Sequence, residues 1–141
     1  MRAGGTIVVE LADETVSGPD AIRRAARRLV EERERGLAVV ATVPTAPTTE
    51  SSLRDLAGSV SPTPDARELD MLLSAGGRVA CALVAMAIHD LGHEAVSLTG
   101  SQAGVLTDGR HTGATIREVR ADRVRQALAA ALGARHVRSG A

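Results

Sequence analysis

The chain contains no phenylalanine, tyrosine, tryptophan or lysine, and it has a single cysteine. Each absence excludes a class of chemistry. Without aromatic rings there is no platform on which single-stranded bases could stack. Without lysine there is no ammonium to bridge nucleotide phosphates and none to form a Schiff base. One cysteine, Cys81, permits neither an intrachain disulfide nor a cysteine-rich zinc site. The seventeen basic residues are all arginine, a bias that compositional drift in a GC-rich genome explains, and seventeen acids balance them. A net charge of zero gives no global field favouring nucleic acid or acidic membrane. No uncharged apolar run reaches the roughly 18 residues of a membrane span. The opening MRAGGTIVVELADE is too short and too acidic for a signal peptide. The expectation is a cytoplasmic protein with no nucleic-acid or membrane partner.

What is present suits one domain over residues 1–141. Its core must be built from Ala, Val, Leu and Ile, and it should bury about two-thirds of the surface the unfolded chain exposes. Thr6–Leu11 (TIVVEL) is a β-branched run that predicts a buried strand. Asp20 is a candidate N-cap for a helix over Ala21–Arg35, with Ile22, Ala25, Ala26, Leu29 and Val30 on one face. Arg23, Arg27, Glu31 and Glu34 on the other face read as a solvated surface with i,i+4 pairs. Gly36 ends the helix and Leu37–Val43 (LAVVATV) predicts a second buried strand. Strand, helix and apolar strand in this order predict a right-handed βαβ unit in a parallel sheet.

The loop PTAPTT (44–49) follows at the carboxyl end of that strand, where open α/β sheets place their ligands. Helices are expected over Glu50–Gly58, Asp65–Ser74 and Arg78–Leu91, with Gly76-Gly77 as a break and the last of these as the central buried helix. Glu94–Leu98 (EAVSL) predicts a third strand, Val105-Leu106 and Ile116–Val119 two short ones. Ala121–Leu132 predicts an amphipathic helix with Val124, Leu128 and Leu132 inward, and ARHVRSGA at the end reads as the start of a strand. The fold class is α/β, three-layer αβα with a mainly parallel sheet.

The block RELDMLLSAGGRVACALVAMAIHDLGHEAVSLTGSQAGVLTDGRH resembles bacterial aspartokinases, whose matching block runs R-E-L-D-x-L-L-S/T-x-G-E-R, an Ala-rich helix, S-x-T-G-x-Q-A-G and T-D-x-x-H. PDAIRRAARRLVEERERGLAVV and TTESSLRDLAGSVSP are similar to the preceding segments of that family. The resemblance covers roughly Gly5 to Leu132 and only the first half of the family's catalytic domain. It implies an amino-acid-kinase-like fold, truncated, descended from a site for aspartate and ATP. The family's opening K-[FY]-G-G-T-S motif, which holds phosphate, is replaced by Glu10-Leu11-Ala12-Asp13-Glu14-Thr15. The string Arg2-Ala3-Gly4-Gly5-Thr6 mimics the motif but precedes the strand. The family's S-A-M-G-D loop is Val43-Pro44-Thr45-Ala46-Pro47, and its substrate-binding glutamate is Gly77. Thr49, Arg78, Thr99, Gln102, Asp108 and His111 match the family pattern.

Several residues carry two readings. Asp108 and His111 share a loop with Arg110 and could do acid–base work, or they are inherited loop structure. Glu10, Asp13 and Glu14 form a new acidic pocket wall, supply a general base, or reflect drift. Thr49, Arg78, Gly77, Thr99 and Gln102 are the candidate substrate contacts, with Arg78 suited to a carboxylate and Gly77 leaving a larger, neutral corner. Cys81 reads as core, and His89 and His93 as helix-end residues rather than metal ligands. No metal or cofactor is called for.

Phosphoryl transfer is not expected: there is no lysine, no Gly-rich cradle and no nucleotide half. The first expectation is an aspartokinase-derived small-molecule-binding enzyme of specialised metabolism. Its chemistry would be ATP-independent acid–base or templating chemistry such as cyclisation, isomerisation or elimination. The alternatives are a non-catalytic oligomerising or regulatory partner, and a residual aspartate kinase of the lysine/threonine pathway. Open sheet edges predict a homodimer built from the Ala-rich helices.

Overall fold

The computed structural model describes residues 4–138. Arg2 and Ala3 of the amino-terminal string, residues 139–141 of the expected terminal strand and the side chain of Leu132 lie outside the described residues.

Strands β1 (Thr6–Glu10) and β2 (Ala38–Thr42) pair in parallel, Thr6 opposite Ala38 and Glu10 opposite Thr42. Helix α1 (Pro19–Glu34) connects them, which makes the βαβ unit. Pro19 takes the first helical position after an extended Gly18. Proline fits there because its missing amide would have had no partner. Asp20 therefore lies inside the first turn, not at the cap, and pairs with Arg23 at 3.0 Å. Gly36 closes the helix with φ +97°, a left-handed conformation that glycine adopts without a Cβ penalty.

Ile22, Ala25 and Leu29 of α1 form the core with Leu11, Val16 and Val84, and Val9, Val39 and Ala41 of the sheet pack against them. Val9 is paired with Ala41 in register, so the odd-numbered strand residues face the core. The expected full burial of the first strand does not hold: Val8, on the other face of β1, is 67% exposed. The α/β class with a parallel sheet is what the chain adopts.

Helix α2 (Pro47–Val60) starts within the segment expected to be loop. Pro47 is again at the start of a helix, which explains the early onset. Helix α3 (Ala66–Asp90) is one continuous helix where two were expected. Asp65 caps it, one carboxylate oxygen accepting from the Arg67 and Glu68 amides at 3.0 and 3.1 Å. Gly76-Gly77 do not break it. A Cβ on Gly76 would lie 2.6 Å from Thr45 Cγ2, so this glycine is where the chain before α2 comes closest. That close packing outweighs the helix-propensity cost of glycine, about 1 kcal/mol relative to alanine.

The helix is not wholly buried as expected. Gly76, Ala80 and Val84 are buried, while Met71, Val79, Leu83 and Met86 are exposed. By length and composition α3 is apolar enough to cross a membrane, with Arg78 interrupting its uncharged run. It carries Arg78 at mid-length and packs on both α1 and α2.

Glu94–Leu98 is not a strand. Instead His89 Nε2 sits 2.8 Å from the Ala95 carbonyl and 3.2 Å from its amide, so a side chain takes one of the two groups a ladder would have used, which one depending on its tautomer. Strands β3 (Val105–Thr107) and β4 (Ile116–Val119) form an antiparallel pair with a register shift at Leu106/Thr107. Helix α4 (Asp122–Arg138) runs through residues 134–138, where the start of a strand was expected. It returns to β2, and Arg33 donates to the Ala131 carbonyl at 3.2 Å.

Gly104 has φ +87°, and a Cβ there would collide with the Arg120 carbonyl. Gly104→Ala should cost at least roughly 1–3 kcal/mol, measured by urea denaturation. Gly113→Ala, where a Cβ meets nothing within 4 Å, should change little.

Candidate functional site

Three helices diverge around a cleft of about 420 Å³. One wall is the amino-terminal half of α1 with the turn before it, a second is the first turn of α2, and the third is α3 from Gly76 to its end. Both α1 and α2 begin at the carboxyl ends of the paired strands, so the cleft lies where a parallel sheet places ligands. The lining is mainly apolar, with Ile22 and Ala80 at buried positions and Val79, Leu83 and Leu91 open to solvent. Arg23, Arg27 and Asp90 supply its charge, Thr48 and Thr49 hydroxyls. Neither α1 nor α2 has a side-chain cap.

Of the residues singled out from sequence, Thr49 lines this cleft, and Gly77 follows the lining residue Gly76. A Cβ on Gly77 would stand 3.5 Å from Thr45 Oγ1. Arg78 is exposed on α3 and does not line the cleft. Thr99 and Gln102 do not line it either. The Thr99 amide donates to Gln102 Oε1 at 3.0 Å, and the Gln102 amide to Thr99 Oγ1 at 3.2 Å, so both side chains close the turn before Gly104.

Glu10 is exposed at the end of β1, and Asp13 and Glu14 are exposed in a 3₁₀ turn over Asp13–Val16. The Thr15 and Ser17 amides of this turn bond to the Ala12 and Glu14 carbonyls at 2.9 and 3.4 Å. Those amides are therefore engaged inside the turn, and the side chains displayed beside them are carboxylates. An anion meets repulsion here rather than a cradle.

Asp108 and His111 are neighbours in the hairpin loop but do not pair with one another. Asp108 Oδ1 accepts from the Arg110 and Thr115 amides at 3.3 and 3.2 Å, which shapes the loop. His111 Nδ1 lies 3.3 Å from Asp70 of α3. The same Asp70 oxygen accepts from the Thr112 amide at 2.9 Å. Thr112 has φ +62°, uncommon for a β-branched residue, and this hydrogen bond holds it there. Asp70 is a site neighbour not singled out from sequence, because its partners lie 41 and 42 residues further along the chain.

His89 and His93 act structurally, His89 on Ala95 and His93 beside Glu34 at 3.4 Å. Among the described residues no group of three or more His, Cys, Asp or Glu is placed to hold a metal. Burial pushes the Cys81 thiol above its ordinary pKa, which lowers its thiolate fraction and suits a packing role. Arg27 and Asp90 were also missed as cleft residues. An acid at the last position of α3 opposes the helix dipole, and that was the one signal available for Asp90.

No family model matches the chain. It is 48% identical over 122 residues to an aspartokinase of Mycolicibacterium smegmatis, which covers 86% of this chain and 29% of that protein. The aspartokinase of Geobacillus stearothermophilus is 40% identical over 124 residues, again with 30% of its length covered. A crystal structure of aspartate kinase from Synechocystis superposes with a TM-score of 0.75 at 32% identity, covering 89% of this chain and 20% of that one. The chain thus spans less than a third of the length of the relatives it matches. Over that span the sequence and the fold agree on one relationship.

Removing the Asp70 carboxylate should free the hairpin loop. Asp70→Ala is expected to lower hydrogen-exchange protection of the Thr112 amide by roughly tenfold, as for loss of one charge-assisted hydrogen bond. The β1 and β2 amides should be unaffected.

Proposed function

We propose that this chain, an aspartokinase relative over most of its length, does not transfer phosphate and instead binds a small metabolite in the α1–α2–α3 cleft. The observation that carries this reading is the contrast between two places at the carboxyl ends of the strands. The exit of β1, where a phosphate loop is expected from the resemblance, presents Glu10, Asp13 and Glu14. The neighbouring cleft is apolar, open and of ligand size. Small-molecule pockets run from roughly 300 to 1,000 Å³, and 420 Å³ falls at the small end. The whole chain offers no lysine to bridge phosphates.

The chemistry in such a cleft is ATP-independent: templating by the apolar walls, with Asp90 as the carboxylate available to accept a proton. Cyclisation, isomerisation and elimination in specialised metabolism are reaction classes that run without a cofactor. The reading places the protein in the cytoplasm with metabolite as its partner. In a coupled assay with Mg-ATP and L-aspartate, no ADP release above background is expected, and ATP should not bind in equilibrium dialysis. Turnover would replace this reading with a residual aspartate kinase of the lysine/threonine pathway, which the identity to aspartokinases favours.

A second feature supports an oligomerising role beside ligand binding. Met71 and Met86 are 59% and 60% exposed on α3. With Ala75, Val79, Ala82 and Leu83 they form one mainly apolar face of a 25-residue helix, roughly 37 Å long, bordered by Arg78 and with Glu68 and Asp90 towards its ends. A second copy of the chain fits this face, because a two-fold pairing covers the exposed methionines and aliphatic side chains of both helices at once. Sedimentation should report twice the 14.5 kDa chain mass. Met86→Arg should return a folded monomer, and a wild-type monomer would remove the dimer from the proposal.

A further inference from the structure

The cleft carries a charge arrangement that the general reading leaves unused. Arg27 lines it from α1 and Asp90 from the end of α3. The two do not pair with one another, and neither has another ion pair or side-chain hydrogen bond among the described residues. Arg23, the other cation of the lining, is already bonded to Asp20 at 3.0 Å. So one free guanidinium and one free carboxylate border the same small apolar space.

The rest of the lining is mainly hydrocarbon. Val79, Leu83 and Leu91 line the cleft and remain 51%, 42% and 40% exposed, while Ile22 lies buried behind. Exposed aliphatic surface inside a concavity gains free energy when an apolar body covers it. A purely anionic ligand would satisfy Arg27 and leave Asp90 opposed to it, and a purely cationic one would do the reverse. A ligand carrying both charges and an apolar body satisfies all three features.

We propose that the cleft recognises a zwitterionic α-amino acid with an aliphatic side chain. Its carboxylate meets Arg27, its ammonium meets Asp90, and its side chain covers Val79 and Leu83. This rests on the assignment of the cleft as a small-molecule site and adds the ligand class to it. A dicarboxylic amino acid fits less well, since its second carboxylate would find no free cation among the described lining residues.

The test is titration calorimetry on the full chain with four probes: L-leucine, 4-methylpentanoate, 3-methylbutylamine and L-aspartate. The last three lack, in turn, the ammonium, the carboxylate and the aliphatic side chain. L-Leucine should bind roughly tenfold or more tightly than each of the others, the usual consequence of losing one charge-assisted contact or of burying a mismatched group. Arg27→Gln should abolish the preference for L-leucine over 3-methylbutylamine, and Asp90→Asn the preference over 4-methylpentanoate. Both side chains are exposed, so both variants should keep the wild-type circular dichroism spectrum. Equal binding of L-leucine and 4-methylpentanoate would overturn the zwitterion assignment and leave the small-molecule site standing. Tighter binding of L-aspartate would overturn the aliphatic class. Absence of heat with all four probes would overturn the ligand class and the cleft as a metabolite site together.

Discussion

The close approach of α3 to its neighbours governs the rest of this structure. Gly76, Ala80 and Val84, each four residues after the last, make a ridge of small side chains that is buried along its length. Residues at that spacing share one side of a helix, and small ones let a second backbone come near. The chain has no aromatic ring with which to fill a wider gap, so its core is made by proximity rather than bulk. Gly76 and Ala80 of this ridge and the next row of α3 (Val79, Leu83, Ala87, Leu91) together border the space between the helices. The cleft is thus a product of the packing, not a feature added to it.

This explains which parts of the fold were legible from sequence. The β-branched runs, the amphipathic α1 and its glycine stop declare themselves through local periodicity and backbone preference, and the parallel pairing follows from their order. Gly76-Gly77 misleads because propensity describes an isolated helix, where glycine is costly. In the folded chain Gly76 faces Thr45 and Thr49, and a larger residue would push them away. Glu94–Leu98 misleads for a related reason. Its alternation suits a strand, but a strand exists only with a partner edge, and at Ala95 the His89 ring occupies the place of that edge.

The candidate site was legible in part, and the division has a physical basis. Sequence motifs report which residues are near one another along the chain. Asp108 and His111 satisfy that test, yet each is engaged elsewhere, Asp108 with loop amides and His111 with Asp70, which is 41 residues earlier. Thr99 and Gln102 likewise face one another across a turn. Arg27 and Asp90 share the cleft only because α1 and α3 pack together. No spacing rule connects them, and a charged residue on an amphipathic helix ordinarily reads as solvated surface.

Electrostatics then separates the two ends of the sheet's carboxyl edge. A phosphate needs a cation to neutralise its charge, and the β1 exit presents three carboxylates, with the Thr15 and Ser17 amides engaged inside the turn. The cleft beside it has a cation and an anion in a mainly apolar lining, a setting that rewards a zwitterion over a polyanion. Val79 and Leu83 belong both to this cleft and to the apolar outer face of α3. A ligand side chain and a second copy of the chain would therefore draw on the same two exposed residues. Covering them with one removes the apolar surface that would favour the other. Ligand binding and self-association would then oppose one another, each weakening the other by the same free energy.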